Sequence, residues 1–292
     1  MRLASFRRLG RTGYGLVLNA GDTFGASAGI VELSGRLGPE AGTLKTFLEH
    51  PELWNAARDL RTEPVDFELD EITFEPVIPD PDKVLCVGVN YHAHREETGR
   101  AESAYPTLFT RLANTQLGHE QPLVRPRAST ELDFEGELAV IIGRRGRHIS
   151  ERRALEHVAG YACYQDATLR DWQRHTTQFT PGKNFVGTGG FGPWMVTADE
   201  IPDPSKLRVS TRVNGVQMQQ STTDLLIFSV AKLIAYISTF TELVPGDVIA
   251  TGTPGGVGSK RTPPVWLKPG DVVEVEVDRV GVLRNPVVQE PD

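Results

Sequence analysis

Cysteine is scarce in this chain of 292 residues, which carries two, Cys86 and Cys163. So few cannot build the disulfide framework of a small secreted domain. Each lies in an apolar run, VLCVGV or YACY, and reads as a buried reduced thiol. Long apolar stretches are also missing. None approaches the roughly 20 residues of a membrane-spanning helix, so no membrane partner is expected. A basic excess is absent as well: 31 Lys and Arg face 38 Asp and Glu, a formal net charge of −7. That balance argues against nucleic acid as a partner. The one local basic cluster, Arg144 to Arg153, reads as a solvated loop after a strand. The N-terminal MRLASFRRLGR is basic but lacks the apolar block of a secretory signal, and a cytoplasmic location is expected. No internal repeat or low-complexity tract is visible.

Glycine and proline are plentiful, at 29 and 20, which predicts frequent turns and short strands. Near the N-terminus, Tyr14–Leu18 and Gly29–Leu33 read as strands, with a turn following the first through Asp22. One helix is predicted over Thr43–Leu60. EPVIPDPDK, Glu75 to Lys83, carries three prolines and reads as a linker. It divides a small N-terminal domain, 1–78, from a larger one, 79–292. In the larger one Val84–Asn90, Phe134–Gly143 and Tyr161–Gln165 read as buried strands. Ser150 is a candidate cap for a helix reaching Val158 and ended by Gly160. Thr168–Arg174 reads as a helical turn or a short helix. Val209–Val213 and Val216–Gln220 form a hairpin about Asn214-Gly215. Leu226–Phe240 has the clearest helical periodicity. The fold class is α+β and β-rich, with mixed sheets and peripheral helices.

Four groups of residues carry chemistry. Glu135 and Glu137 stand at i and i+2 of a strand, so they share a face, with Asp133 beside them if the strand begins early. Acids ahead of a buried run are unfavourable unless they are exposed or a cation compensates them. Asp166 ends another apolar strand. Three carboxylates suit a hard cation, Mg²⁺ or Mn²⁺, with positions left for a substrate, whereas zinc would recruit His or Cys. Spacing alone leaves the exposed and the metal-bound readings open. His94 and Glu97, at i and i+3, share a helix face, and a carboxylate beside an imidazole makes a base. A surface pair is the bland alternative, and His92 and Glu96 read as surface. Lys183 lies in a Gly-dense loop, either solvated or facing a developing anion. Arg170 stands beside Asp171, with which it can pair. Thr253 lies in TGTPGGVG, which lacks the Gly-Lys-Ser/Thr ending of a phosphate-binding loop.

The segments VGVNYHAHREETG, DFEGELAVIIG, GYACYQDATLRDWQ, GKNF, NGVQMQ and PGDVIATGTPGGVG follow one another in an order that resembles the fumarylacetoacetate hydrolase family over about residues 80–288. The resemblance implies a mixed β-roll, commonly a homodimer. It implies Glu135, Glu137 and Asp166 as metal ligands, but not Asp133. It implies His94 as the base with Glu97 as its partner, Lys183 as support for the bound substrate, and Arg170, Gln173, Gln219 and Thr253 at the substrate. The implied substrate is a small oxo-acid, with a setting in aromatic catabolism. The implied reaction is hydrolysis of a C–C bond in a 1,3-dioxo acid, acylpyruvate- or fumarylacetoacetate-like, through a metal-bound enolate. Oxaloacetate-type decarboxylation and 2-hydroxymuconate-type isomerisation or hydration are the alternatives. A metal-binding protein without catalysis fits least. The chain departs from the family pattern at Arg111, Gln165, Asn184, Val186 and Met218. Met218, where many members have Arg, predicts a less charged substrate tail.

Overall fold

The computed structural model describes residues 1–19 and 28–291. The N-terminal region forms β1 (Arg2–Arg8), β2 (Arg11–Leu18), β3 (Gly29–Glu32), α1 (Leu44–Leu48) and α2 (Trp54–Asp59). Next come β4 (Val84–Val87), α3 (His92–Thr98), β5 (Leu108–Arg111), β6 (Gly136–Ile142) and β7 (Val158–Asp166). The short helices α4 (Arg170–Gln173) and α5 (Thr180–Lys183) lead into β8 (Gly189–Thr197). The chain ends with β9 (Arg208–Val213), β10 (Val216–Thr222), α6 (Val230–Phe240), β11 (Val248–Ala250), β12 (Val272–Val277) and β13 (Gly281–Gln289).

One large mixed sheet runs in the order β3-β2-β1-β8-β7-β6-β11-β4-β5. Its centre is antiparallel, and β11 pairs parallel with β4. A second sheet, β10-β9-β12-β13, packs on the central strands of the first. The apolar run of β6 follows from this arrangement. Leu138, Val140 and Ile142 join the core that also holds Val209, Val275 and Leu283. Ala139 and Ile141 point the opposite way, into a core with Tyr164, Phe191 and Met195. A strand buried on both faces has no polar side to show.

The expected break near Pro79 is not a break in the sheet or the core. β1 pairs with β8 through Arg2↔Val196 and Leu3↔Met195. Leu3, Tyr14 and Phe47 share one core with Tyr164, Phe191 and Met195. The proline-rich segment is itself stitched down, since the Ser5 hydroxyl donates to Val77 O at 2.8 Å and Val77 N–H donates to Phe191 O at 3.3 Å. Proline stops the segment from becoming a strand without making it a free linker.

Other differences have local causes. The single helix expected over Thr43–Leu60 is α1 and α2 with a 3₁₀ turn, Pro51–Leu53, between them. Pro51 lacks the N–H that a continuous helix needs and starts the turn instead. After Ser150 the chain forms a 3₁₀ segment, Glu151–His157, without a side-chain cap, and Gly160 belongs to β7. The long helix starts at Val230 because Ser229 caps it, its hydroxyl accepting Lys232 N–H. The hairpin turn is as expected, with Asn214 at φ 52° and Gly215 at φ 77°, values that favour these two residues. The strand Tyr14–Leu18 lies within β2, and the turn expected through Asp22 lies outside the described residues.

Deleting residues 1–78 should leave 79–292 unable to fold alone, because the β8 edge and the core around Phe191 lose their cover. A cooperative melt of 79–292 near that of the full chain, followed by circular dichroism, would restore two independent domains.

Candidate metal centre and active site

The register of β6 against β7 builds the centre. Gly136 lies opposite Gln165 and Glu137 opposite Tyr164. Just before β6, Glu135 O accepts Asp166 N–H at 2.9 Å, and Glu135 N–H donates to Gln165 Oε1 at 2.7 Å. Three acids are thereby gathered at one end of two strands. Glu135, Glu137 and Asp166 are 5%, 1% and 0% exposed, and one carboxylate oxygen from each lies within 4.8 Å of the others. Glu135 sits ahead of β6, so convergence comes from the Gln165 and Asp166 contacts more than from strand alternation. Gln165, noted as a departure, supplies the amide that holds the Glu135 backbone.

Three buried cations surround these acids. Lys183 Nζ donates to Glu135 Oε2 and Asp166 Oδ2, both at 2.6 Å. Arg170 lies 2.7 Å from Asp133 Oδ2 and 2.5 Å from Glu135 Oε1. Asp171 instead accepts the Ser129 hydroxyl, so Arg170 does not pair with it. Arg111, a departure whose role was not legible in the sequence, donates to Asp166 Oδ1 at 2.7 Å and braces it from behind. Lys183 reaches the acids because α5 lies tight on α4. A Cβ on Gly182 would sit 2.5 Å from Gln173 N.

Four buried acids, counting Asp133, thus face three buried cations. Burial by itself would raise the Glu135 carboxyl, but Arg170 and Lys183 hold it down at about 2. Glu137 has no such partner: its one hydrogen bond among the described residues comes from Gly252 N–H at 2.7 Å. Burial, then the neighbouring Asp166 and Glu135, push it well above the usual carboxylate range. A cation is what this cluster lacks. An all-oxygen donor set that is buried and short of positive charge fits a hard divalent ion. With such an ion the cluster becomes net positive, ready for an anionic guest.

Glu135 and Glu137 line a cleft of ≈ 200 Å³ together with His94, Arg170, Gln173, Lys183 and Thr253. His94 Nδ1 lies 2.6 Å from Glu97 Oε1. An ionised Glu97 keeps the proton on Nδ1 and leaves Nε2 its lone pair. The pair is held from two sides. Glu97 Oε2 accepts Gly256 N–H at 2.8 Å. Asn90, at the foot of α3, donates to Phe228 O and Thr251 O and accepts Phe228 N–H. Its anchoring role had no signal beyond its place in the Asn-Tyr segment.

Two expectations for substrate contacts need correction. Gln219 does not line the cleft. It is buried, its oxygen accepts Gly136 N–H at 3.1 Å, and its amide donates to Thr253 Oγ1 and Pro254 O, both at 2.8 Å. These three hydrogen bonds fix β6 against the Gly-rich loop. Met218 is also absent from the cleft wall and packs against apolar residues, so its identity carries no information on substrate charge. Thr253 does line the cleft, with its hydroxyl donating to Gly136 O at 3.0 Å. The amides of its loop face protein carboxylates: Gly252 serves Glu137, Gly256 serves Glu97, and Gly258 and Ser259 serve Asp133. Asn184 ties α5 to the start of the Leu112 segment, and Val186 is exposed away from the cleft. No helix among the described residues is long and apolar enough to cross a membrane.

Comparison with known proteins shows the family and the fold. Residues 83–288 match the family model described as fumarylacetoacetate (FAA) hydrolase C-terminal. Oxaloacetate tautomerase FAHD2A, mitochondrial, of Homo sapiens is 39% identical over 292 residues, 99% of this chain and 92% of that protein. The solved fumarylacetoacetate hydrolase from Exiguobacterium antarcticum is 33% identical with a TM-score of 0.79, covering 99% of this chain and 100% of that one. Maleylpyruvate hydrolase from Sphingobium sp. SYK-6, solved with manganese(II) and pyruvate, is 28% identical with a TM-score of 0.82 and full coverage of both chains.

Mn²⁺ or Mg²⁺ should raise the melting temperature, with about 2.7 kcal/mol of stabilisation at a hundred times Kd. Glu137→Gln should abolish that shift without destabilising the metal-free protein, since it removes the unpaired acid. Affinity should rise with pH. A raised Glu137 favours the metal-free fold fully below the ordinary carboxylate range and loses that contribution as pH climbs through the raised value, while the ion must displace the same proton. Calorimetric titration across the acidic-to-neutral range reads this; pH-independent affinity would mean that Glu137 is already ionised.

Proposed function

We propose, starting from the fact that this chain belongs to the fumarylacetoacetate hydrolase family, that it is a divalent-metal-dependent enzyme interconverting the keto and enol forms of a small oxaloacetate-like 2-oxo acid. One observation carries the reading: Glu135, Glu137 and His94 line the same cleft, with Asp166 clustered on the two glutamates and Glu97 bonded to the imidazole. Removing a proton beside a carbonyl needs a base and a stabilised oxyanion at once. The full-length likeness to oxaloacetate tautomerases supports the choice of reaction.

Glu135, Glu137 and Asp166 would hold the ion. A bound Mg²⁺ or Mn²⁺ supplies Lewis-acid polarisation of the 2-oxo group. His94 Nε2 takes a proton from the carbon next to that group. The C–H electron pair becomes the C=C bond of the enol form, and the charge collects on the 2-oxygen. Lys183 and Arg170 put positive charge beside that oxygen while keeping Glu135 in place. Glu97 holds Nδ1–H and balances the imidazolium until the proton is returned, to oxygen for the enol or to carbon for the keto form. A base of this kind contributes about 10²–10⁴-fold.

Hydrolysis of a C–C bond in a 1,3-dioxo acid is the second reading. The His94–Glu97 contact favours it, because the same base can take a proton from water. A homodimer and a cytoplasmic setting belong to the proposal; two free buried thiols agree with a reducing compartment.

With Mg²⁺ or Mn²⁺, loss of oxaloacetate enol absorbance should accelerate, and His94→Ala should slow it about 10²–10⁴-fold while the metal-induced rise in melting temperature persists. An unchanged rate in His94→Ala removes the assigned base. Inertness toward oxaloacetate with cleavage of acylpyruvates selects the second reading, carbon dioxide release from oxaloacetate selects decarboxylation, and turnover of 2-hydroxymuconate-type acids alone selects the isomerase or hydratase.

A further inference from the structure

The cations that line the cleft fall into two sets. Arg170 and Lys183 are bound to the acid cluster, and Arg174 is paired with Glu131 at 2.6 Å. Arg100 and Lys260 line the same cleft and pair with no acid among the described residues. We infer that Arg100 and Lys260 form a subsite for the second carboxylate of a 2-oxo dicarboxylate. The inference rests on the reading of the cleft as a 2-oxo acid site and adds the charge and reach of the guest.

Arg100 directly follows Gly99, which ends α3 at φ 66°. Its guanidinium rests 4.8 Å from the centroid of the Phe179 ring, an apolar seat that leaves the N–H edge free for an anion. Partial burial, then the neighbouring Arg170, act against the Arg100 charge and Glu135 acts for it, so a carboxylate on the side of Arg100 away from the acid cluster would add to that support. Arg100 and Val89 also form part of the wall of an adjoining cavity of ≈ 240 Å³, which holds Arg95, Ser103 and Thr107. A guest whose 2-oxo acid end lies at the acid cluster cannot put a second carboxylate among the same buried acids without strong repulsion. The cleft offers unpaired positive charge for it at Arg100 and Lys260. Both residues reach solvent, Arg100 from a half-buried seat, so their removal spares the core.

The test compares oxaloacetate with 2-oxobutyrate, in which a methyl group replaces the second carboxylate. Binding with Mg²⁺ is read by thermal shift and rapid calorimetry, and turnover separately, for the wild type, Arg100→Met, Lys260→Met and Arg100→Lys. Each Met variant should weaken oxaloacetate binding by about 10- to 100-fold, leave 2-oxobutyrate binding unchanged, and keep the metal-induced stabilisation. Arg100→Lys should recover part of the loss. Equal losses on both acids, or no loss on oxaloacetate, overturn the subsite. If the wild type turns over neither acid yet prefers oxaloacetate through Arg100, the subsite stands and the proposed reaction fails. If oxaloacetate turns over but neither variant changes its binding, the subsite alone fails.

Discussion

An imbalance of buried charge governs this structure: four carboxylates and three cations are sealed together at the end of two central strands. Buried like charges repel strongly because little solvent screens them. Lys183, Arg170 and Arg111 neutralise Glu135, Asp133 and Asp166 in a fixed network. Among the described residues Glu137 is left with a single backbone N–H. That deficit makes the cluster a receptor for a cation, and a divalent ion overshoots the deficit by enough to attract an anionic guest. On the proposed function, metal affinity and substrate attraction would share one electrostatic origin.

Much of the surrounding fold keeps this arrangement rigid. The loop after β11 looks in sequence like a ligand-cradling Gly-rich turn. Its amides are instead committed to Glu137, Glu97 and Asp133. One loop therefore positions a metal-ligand candidate, the partner of the candidate base, and the acid that orients Arg170. Gln219 locks that loop to β6 through Gly136 and Thr253. Asn90 ties α3 to the segments before α6 and after β11, so the imidazole is held against the same frame as the acids. Preorganised charge of this kind costs no rearrangement at the moment of reaction.

Several misreadings of the chain share one cause, the limited reach of local pattern. Three prolines at Glu75–Lys83 suggest a linker, yet hydrogen bonds to β1 and β8 hold the segment in place. A helix-like stretch is interrupted at Pro51, a residue visible in the sequence whose consequence depends on packing on both sides. Gln219 and Met218 occupy places that border a pocket in the family pattern, but here one is consumed by structural hydrogen bonds and the other packs in a core. Local sequence names a residue's neighbours along the chain and leaves open which of its atoms are already in use.

The sequence by itself determined the strand-rich fold, the hairpin about Asn214-Gly215, the helical face shared by His94 and Glu97, and the family through six ordered segments. Each of these is written in short-range periodicity, turn chemistry or motif order. Tertiary structure decided the rest. The convergence of Glu135, Glu137 and Asp166 depends on the pairing of β6 with β7. The service of Arg111 to Asp166 depends on β5, 55 positions away along the chain. The merging of residues 1–78 with the main sheet depends on β1 finding β8. Register, long-range pairing and the balance of buried charge are properties of segments brought together, and no single segment encodes them.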